Sequence, residues 1–159
     1  MHITIYTDGS SLGNPGPGGY GIVLKSGRHR KELSQGYRLT TNNRMELLAV
    51  IVALEALKIP QSTVTVYTDS QYVVNAIEKK WVFGWEKISF KGKKNADLWR
   101  RFLNVYRCHT VDLKWIKGHD GNKENERCDQ LAVLSAQSLQ LLEDTGYESQ
   151  INQNFETIF

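Results

Sequence analysis

The chain opens on a two-residue alternation. In HITIYT, Ile3 and Ile5 share one face with β-branched or aromatic residues between them, which predicts a strand over 2–7 that stops at Asp8. SLGNPGPGG at 11–19 is dense in turn formers. Alternation then resumes in GYGIVLKS and continues in RKELSQGYRL, predicting two further strands whose short connections pair them antiparallel. From Asn43 to Lys58 the period lengthens: Met45, Leu48, Ala49, Val52, Ala53 and Ala56 fall at helical spacing. Leu47, Val50, Ile51, Leu54 and Leu57 make this helix apolar almost all round, so it should be central. Pro60 ends it, and STVTVYTDS at 62–70 alternates as a fourth strand that stops at Asp69. A strand, helix, strand unit of this kind favours parallel pairing. Short helices are predicted over Ser70–Glu78 and 95–106, a fifth strand over 111–117, and a last helix from Glu124 to Leu142. A basic, aromatic stretch from Lys79 to Lys94 separates the two middle helices.

Composition narrows the class more than it names a function. The 159 residues, 40% hydrophobic and 23% charged, fit one compact globular domain. No segment approaches the roughly 20 apolar residues that cross a bilayer, and MHITIYTDGS lacks a basic and apolar leader, so a cytoplasmic protein with no membrane partner is expected. A monomer is the default. Cys108 and Cys128 are too few for a disulfide framework and read as reduced thiols; a zinc site with His109 or His119 lacks the paired spacing such sites use. The net charge of +3 permits a polyanionic partner without requiring one.

The candidate chemistry lies in carboxylates at strand ends. Tyr6-Thr7-Asp8 and Tyr67-Thr68-Asp69 each close a predicted strand with an aspartate. Ligands in α/β sheets bind beyond the carboxyl ends of strands, and two neighbouring aspartates there repel unless a cation relieves them. Either one alone could equally start a turn. Glu46 stands three residues after Asn43, the spacing of a helix capping box, so capping and a site role compete for it. Asp129 lies in ENERCDQLA, which by itself reads as a solvated helix face. GPGGYG at 16–21 satisfies the spacing of a dinucleotide fingerprint, but a strand rather than a helix follows it, so a Gly/Pro hairpin turn is the better reading.

Four blocks together resemble the type 1 ribonuclease H family: YTDGSSLGNPGPGGYG at 6–21, TTNNRMEL at 40–47, YTDSQYV at 67–73 and KGHDGNKENERCDQLA at 117–132, with KNADLW at 94–99 between the last two. The resemblance implies an α/β chain with the ribonuclease H-like fold, a five-stranded mixed sheet with helices on both faces, in a domain over 1–147. It implies endonucleolytic hydrolysis of the RNA strand of an RNA–DNA hybrid, leaving 5′-phosphate and 3′-hydroxyl ends. Asp8, Glu46, Asp69 and Asp129 would hold two Mg²⁺ ions, with Mn²⁺ a possible substitute, and His119, in a loop between Gly118 and Gly121, would assist proton transfer or product release. Glu124 is a weaker candidate for that assistance. A non-catalytic hybrid-binding module is the alternative function; it would lack one or more of these carboxylates, and all are present. Integrases and junction resolvases share a similar carboxylate arrangement, but the TTNNRMEL and GNPGPGG blocks argue against them.

The same resemblance places Gly9, Ser11, Asn14, Asn42, Asn43 and Gln71 at the hybrid's minor groove or its 2′-hydroxyls, the one sugar group that separates RNA from DNA. Thr41 and Asn95 match a pocket for a DNA phosphate. Family members often carry an arginine two residues before that threonine, where this chain has Leu39; Arg38, one residue earlier, points to the other face of the strand and is not expected to serve. Lys79, Lys80, Lys87, Lys91, Lys93 and Lys94, interleaved with Trp81, Trp85 and Phe90, resemble the basic protrusion of bacterial members and suit a nucleic-acid backbone, with Trp81 itself read as a core anchor. Residues 148–159 read as a flexible tail, the other reading being a docking helix through Ile151, Phe155, Ile158 and Phe159.

Overall fold

The computed structural model describes the backbone of residues 2–158 and the side chains through residue 154. Five strands, β1 (His2–Ser11), β2 (Gly16–Ser26), β3 (His29–Thr40), β4 (Thr63–Thr68) and β5 (Thr110–Trp115), form one sheet in the order β3-β2-β1-β4-β5. The first three pair antiparallel, and β1–β4 and β4–β5 pair parallel. This is the expected mixed sheet. The helices are α1 (Asn42–Glu55), α2 (Gln71–Glu78), α3 (Trp81–Lys87), α4 (Ala96–Tyr106), α5 (Lys123–Ala136) and α6 (Thr145–Ile158). None of the helices among the described residues is long and apolar enough to cross a membrane.

The glycines read as a turn do a different job. The turn is confined to Leu12–Pro15, and β2 already runs from Gly16. A Cβ on Gly18 would meet Met45 of α1, whereas one on Gly19 would meet Ala132 and Ser135 of α5. Adjacent strand residues face opposite ways, so α1 and α5 lie on opposite faces of the sheet. A Cβ on Gly21 would run into Cys128 and Leu131, so α5 lies directly on the strand backbone and brings the segment that carries Asp129 down onto the sheet. On the other face α1 is buried almost all round, with Met45, Leu47, Leu48, Val50, Ile51 and Leu54 in the core beside Trp99 and Phe102 of α4.

Three local expectations are corrected. The cap of α1 is Thr41, whose Oγ1 accepts from Arg44 N at 3.2 Å, so Asn43 and Glu46 form no capping box and the Glu46 carboxylate is released from that duty. Trp81 is 47% exposed, with Lys79 Nζ 5.0 Å from its ring centroid; α3 begins at Trp81, after Lys80 in a left-handed conformation, and buries Val82 instead. Helix α5 stops at Ala136 rather than Leu142, because the chain turns to pair with β3: Arg38 N donates to Leu142 O and Leu142 N to Gly36 O. Beyond it the backbone of 145–158, which includes most of the expected tail, is helical. The first turn of α6 is tied down by Asp144, whose Oδ1 accepts from Tyr147 N, and by Glu148, which accepts from Arg38. Of the apolar positions noted there, Ile151 is half-buried; the side chains of Phe155 and Ile158, and all of Phe159, lie outside the described residues.

Candidate active site

Parallel pairing of β1 with β4 sets Thr7 opposite Thr68, so both strands deliver an aspartate to the same end of the sheet. Gly9 completes the arrangement. A Cβ there would collide with the Met45 and Glu46 backbone, and its absence lets α1 descend until Glu46 reaches Asp8. Asp8, Glu46 and Asp69 each offer an oxygen, all within 4.8 Å of one another. Asp8 is 6% exposed and accepts from Gly9 N at 2.8 Å. Glu46 Oε2 is buried without a hydrogen-bond partner.

Such a cluster stores electrostatic energy. Burial pushes the Asp8 carboxyl up to about 7, the Gly9 and Glu46 hydrogen bonds opposing and the Asp69 and Asp129 charges adding to the rise. Glu46 is raised well above the carboxylate range by burial and by Asp8, and Asp69 is raised by burial while the His119 charge pulls it down. Asp129 stands outside the tight trio but acts on both Asp8 and Asp69. Three clustered carboxylates, with Glu46 Oε2 left unpartnered, fit a hard divalent cation, which takes oxygen ligands and would relieve the repulsion.

The loop after β5 closes the site from one side. Ile116 N donates to Thr68 O, and a Cβ on Gly118 would stand 2.6 Å from Asp69 Oδ2, so the chain passes directly over that carboxylate. His119, exposed and at φ 57°, follows immediately. Glu124 is engaged elsewhere: Arg30 donates to both its oxygens at 3.0 Å and Lys25 Nζ lies at 3.3 Å, holding its carboxyl below the usual range. That ion pairing argues against a proton-transfer role for Glu124.

The amide and hydroxyl residues assemble beside the carboxylates. Ser11 N and Oγ donate to Asn42 Oδ1 at 2.8 and 3.1 Å, and Asn42 N donates to Asn14 Oδ1 at 3.0 Å, linking the β1–β2 turn to the start of α1. Gln71 is exposed at the start of α2, two residues after Asp69. Thr41, Asn43 and Asn95 line one cavity of about 460 Å³, with Lys94 at its rim. Arg38 is not part of it; its guanidinium is occupied by Glu148 and Glu143. Lys87, Lys91, Lys93 and Lys94 are all exposed, and Trp85 is half-buried edge-on against Trp99, with Lys93 Nζ 5.5 Å from its ring centroid.

Some of the scaffolding was not anticipated. Trp115 Nε1 donates to Asp69 O, fixing the backbone that carries the carboxylate. Arg44, 1% exposed, donates to both oxygens of Asp97 at 2.8 and 2.9 Å and both of Asp144 at 2.8 Å, and joins α1, α4 and the start of α6 behind Thr41 and Asn95. An arginine inside an otherwise apolar helix was the signal for this second cluster.

Comparison with known proteins agrees with this geometry. A family model described as RNase H matches residues 1–137. A ribonuclease H of Trichodesmium erythraeum (strain IMS101) is 56% identical over 151 residues, which is 92% of this chain and 96% of that protein. Among solved structures, LC9-RNase H1, a type 1 RNase H with the type 2 active-site motif, is 33% identical with a TM-score of 0.79 over 94% of this chain and 80% of that one. LC11-RNase H1 in complex with RNA/DNA hybrid is 26% identical with a TM-score of 0.67 over 85% of this chain and 96% of that one. With its strand order, its acidic cluster and these relatives in agreement, the chain belongs to the RNase H family.

Proposed function

We propose that this chain is an endoribonuclease that hydrolyses the RNA strand of RNA–DNA hybrids, with Asp8, Glu46, Asp69 and Asp129 holding two Mg²⁺ ions, Mn²⁺ being able to replace them. The observation that carries the reading is the trio of carboxylates with oxygens within 4.8 Å of one another, together with the buried and unpartnered Glu46 Oε2. Bound divalent ions supply a water nucleophile at neutral pH and offset charge on the leaving oxygen. The protein's own part is positional. Gly9 brings α1 close enough for Glu46 to face Asp8, and Trp115 and the Gly118 backbone keep Asp69 in place. His119, exposed in the loop that passes over Asp69, assists proton transfer to the departing 3′ oxygen or release of product.

Substrate selection falls to the amide patch. Gly9, Ser11, Asn14, Asn42, Asn43 and Gln71 present backbone and short polar groups to the minor groove, where a 2′-hydroxyl can both donate and accept. Thr41 and Asn95 receive a phosphate of the DNA strand, and Lys87, Lys91, Lys93 and Lys94 with Trp85 track the backbone beyond it. The hybrid complex of LC11-RNase H1 supports this partner. The chain acts as a monomer in this reading, and the exposed thiol of Cys108 suits a reducing, cytoplasmic compartment.

The test is a substrate panel. With Mg²⁺, the purified protein should cut the RNA strand of an end-labelled hybrid and leave RNA duplex, DNA duplex and single strands intact. Hybrid binding without cleavage would instead identify a non-catalytic module.

A further inference from the structure

The cavity that Thr41, Asn43 and Asn95 line is lined by α6 as well, through Tyr147, Gln150 and Asn154. Nothing in the family resemblance assigns these residues a role. Tyr147, Gln150 and Asn154 are spaced three and four residues apart, so they form one stripe along the helix, and that stripe faces the cavity.

The helix is held rigidly at this place. Asp144, buried, accepts from Thr40 Oγ1 at 2.7 Å and from Arg44 Nε and Nη2 at 2.8 Å. A Cβ on Gly146 would collide with Asp97, so only glycine lets the first turn of α6 sit this close to the Arg44 pair. Arg44 also lies 6.0 Å from the centroid of the Tyr147 ring. The same arginine reaches Asn95 Oδ1 at 3.4 Å. One buried guanidinium therefore stands against lining residues from both α6 and the start of α4.

The chemistry of the lining specifies an anion. Thr41 Oγ1 accepts from Arg44 N, which leaves its hydroxyl proton free to donate outward. Asn95 is oriented by Arg44 at its oxygen and by Tyr72 at its nitrogen, which leaves its second amide proton to donate. Lys94 supplies a positive charge at the rim, and Tyr147, Gln150 and Asn154 add a hydroxyl and two amides with no carboxylate among the lining residues. Neutral donors with one cation match a backbone phosphodiester rather than a free cation or an apolar ligand.

We propose that α6 is a substrate-binding element: Gln150 and Asn154, with Tyr147, grip the phosphodiester backbone of the DNA strand together with Thr41 and Asn95. The proposal rests on the hybrid-nuclease reading and deepens it, by making the carboxyl-terminal helix half of the phosphate cavity.

The test compares the full chain with a Gln150→Ala/Asn154→Ala variant. Hybrid affinity is measured by fluorescence anisotropy in Ca²⁺, and steady-state cleavage in Mg²⁺. Loss of two hydrogen bonds from solvent-exposed side chains, which count for less than buried ones, predicts affinity lower by about tenfold, KM raised to match and kcat retained. Asn152→Ala, on the same helix outside the cavity, should behave as wild type. A second variant, Gln150→Glu/Asn154→Asp, keeps the side-chain size and should weaken binding further by repelling phosphate, with helicity by circular dichroism unchanged. Neutral methylphosphonates in the DNA strand should erase the difference between wild type and variant; erasure only by methylphosphonates in the RNA strand would overturn the strand assignment. Unchanged or tighter binding in both double variants would overturn the proposal, while a wild-type protein that neither binds nor cuts hybrid would instead defeat the underlying function.

Discussion

Replacing Asp8 by Asn should abolish cleavage and yet stabilise the metal-free protein. In the folded chain the Asp8 carboxyl stands at about 7 against an ordinary 3.8, chiefly through burial, so at pH 8 the native state holds a charge it would rather not carry. The sign follows from proton binding: between those two values the folded form binds more protons than the unfolded one, and stability falls as pH rises. At 1.36 kcal/mol per pH unit the full penalty is about 4 kcal/mol. Asparagine keeps a polar group to bury, so recovery of about 1–3 kcal/mol is expected, raising Tm by roughly 2–10 °C for a chain of this size. Because Asp8 and Glu46 sit against each other, removing one charge also relieves the other. Thermal unfolding of wild type and Asp8→Asn in EDTA at pH 8 and pH 4.5 checks this. The gain should be large at pH 8 and shrink towards zero at pH 4.5, and added Mg²⁺ should stabilise wild type more than the variant. Equal stability at pH 8, or a gain of the same size at both pH values, would refute the reasoning.

Arg44→Met should cost about 3–5 kcal/mol in urea unfolding, because Asp144 would be left buried without its cation, and Arg44→Lys should recover little of it since an ammonium cannot span two carboxylates. Gly21→Ala should destabilise by about 1–3 kcal/mol by lifting α5 from the sheet, seen in the same experiment. Trp81→Ala should change stability by less than about 0.5 kcal/mol, given its exposure, whereas Trp85→Ala, which loses an edge-on contact with Trp99, should cost more than about 1 kcal/mol.

Periodicity was sufficient for the sheet. The alternation of Ile3 and Ile5, and of Val64 and Val66, located two strands; the helix between 43 and 58 suggested a parallel partner for the strand that follows it, and that partner is β1 rather than β3, the strand before the helix. The pattern was blind where a residue's role depends on what crosses it from elsewhere in the chain. Gly18, Gly19 and Gly21 look like turn residues because glycine serves both a bend and a close helix contact, and only the positions of α1 and α5 decide between them. Trp81 read as a core anchor, but its helix starts at that residue, so its side chain points out. The contacts at the end of the chain were hidden for the same reason: Asp144, Gly146 and Glu148 have no local pattern, and they are held by Arg44, Asp97 and Arg38, which lie far back in sequence.

The candidate site was legible as a set rather than residue by residue. Asp8 and Asp69 each pass for turn aspartates and Glu46 for a cap, and it took the strand register and the actual cap at Thr41 to free all three for one purpose. Asp129 remained the least legible, because the helix that carries it approaches the sheet only through the glycines of β2.

The most direct measurement is strand-specific cleavage of an RNA–DNA hybrid carrying different labels on its two strands, by wild type and by Asp69→Asn, with Mg²⁺ and with EDTA. Wild type should cut only the RNA strand, leave 5′-phosphate ends and fall silent in EDTA, while Asp69→Asn should lose at least about a thousandfold in rate, the loss of a stabilising contact worth about 4 kcal/mol in the transition state. Cleavage by Asp69→Asn at the wild-type rate, or undiminished cleavage in EDTA, would contradict a carboxylate-held divalent metal at this site.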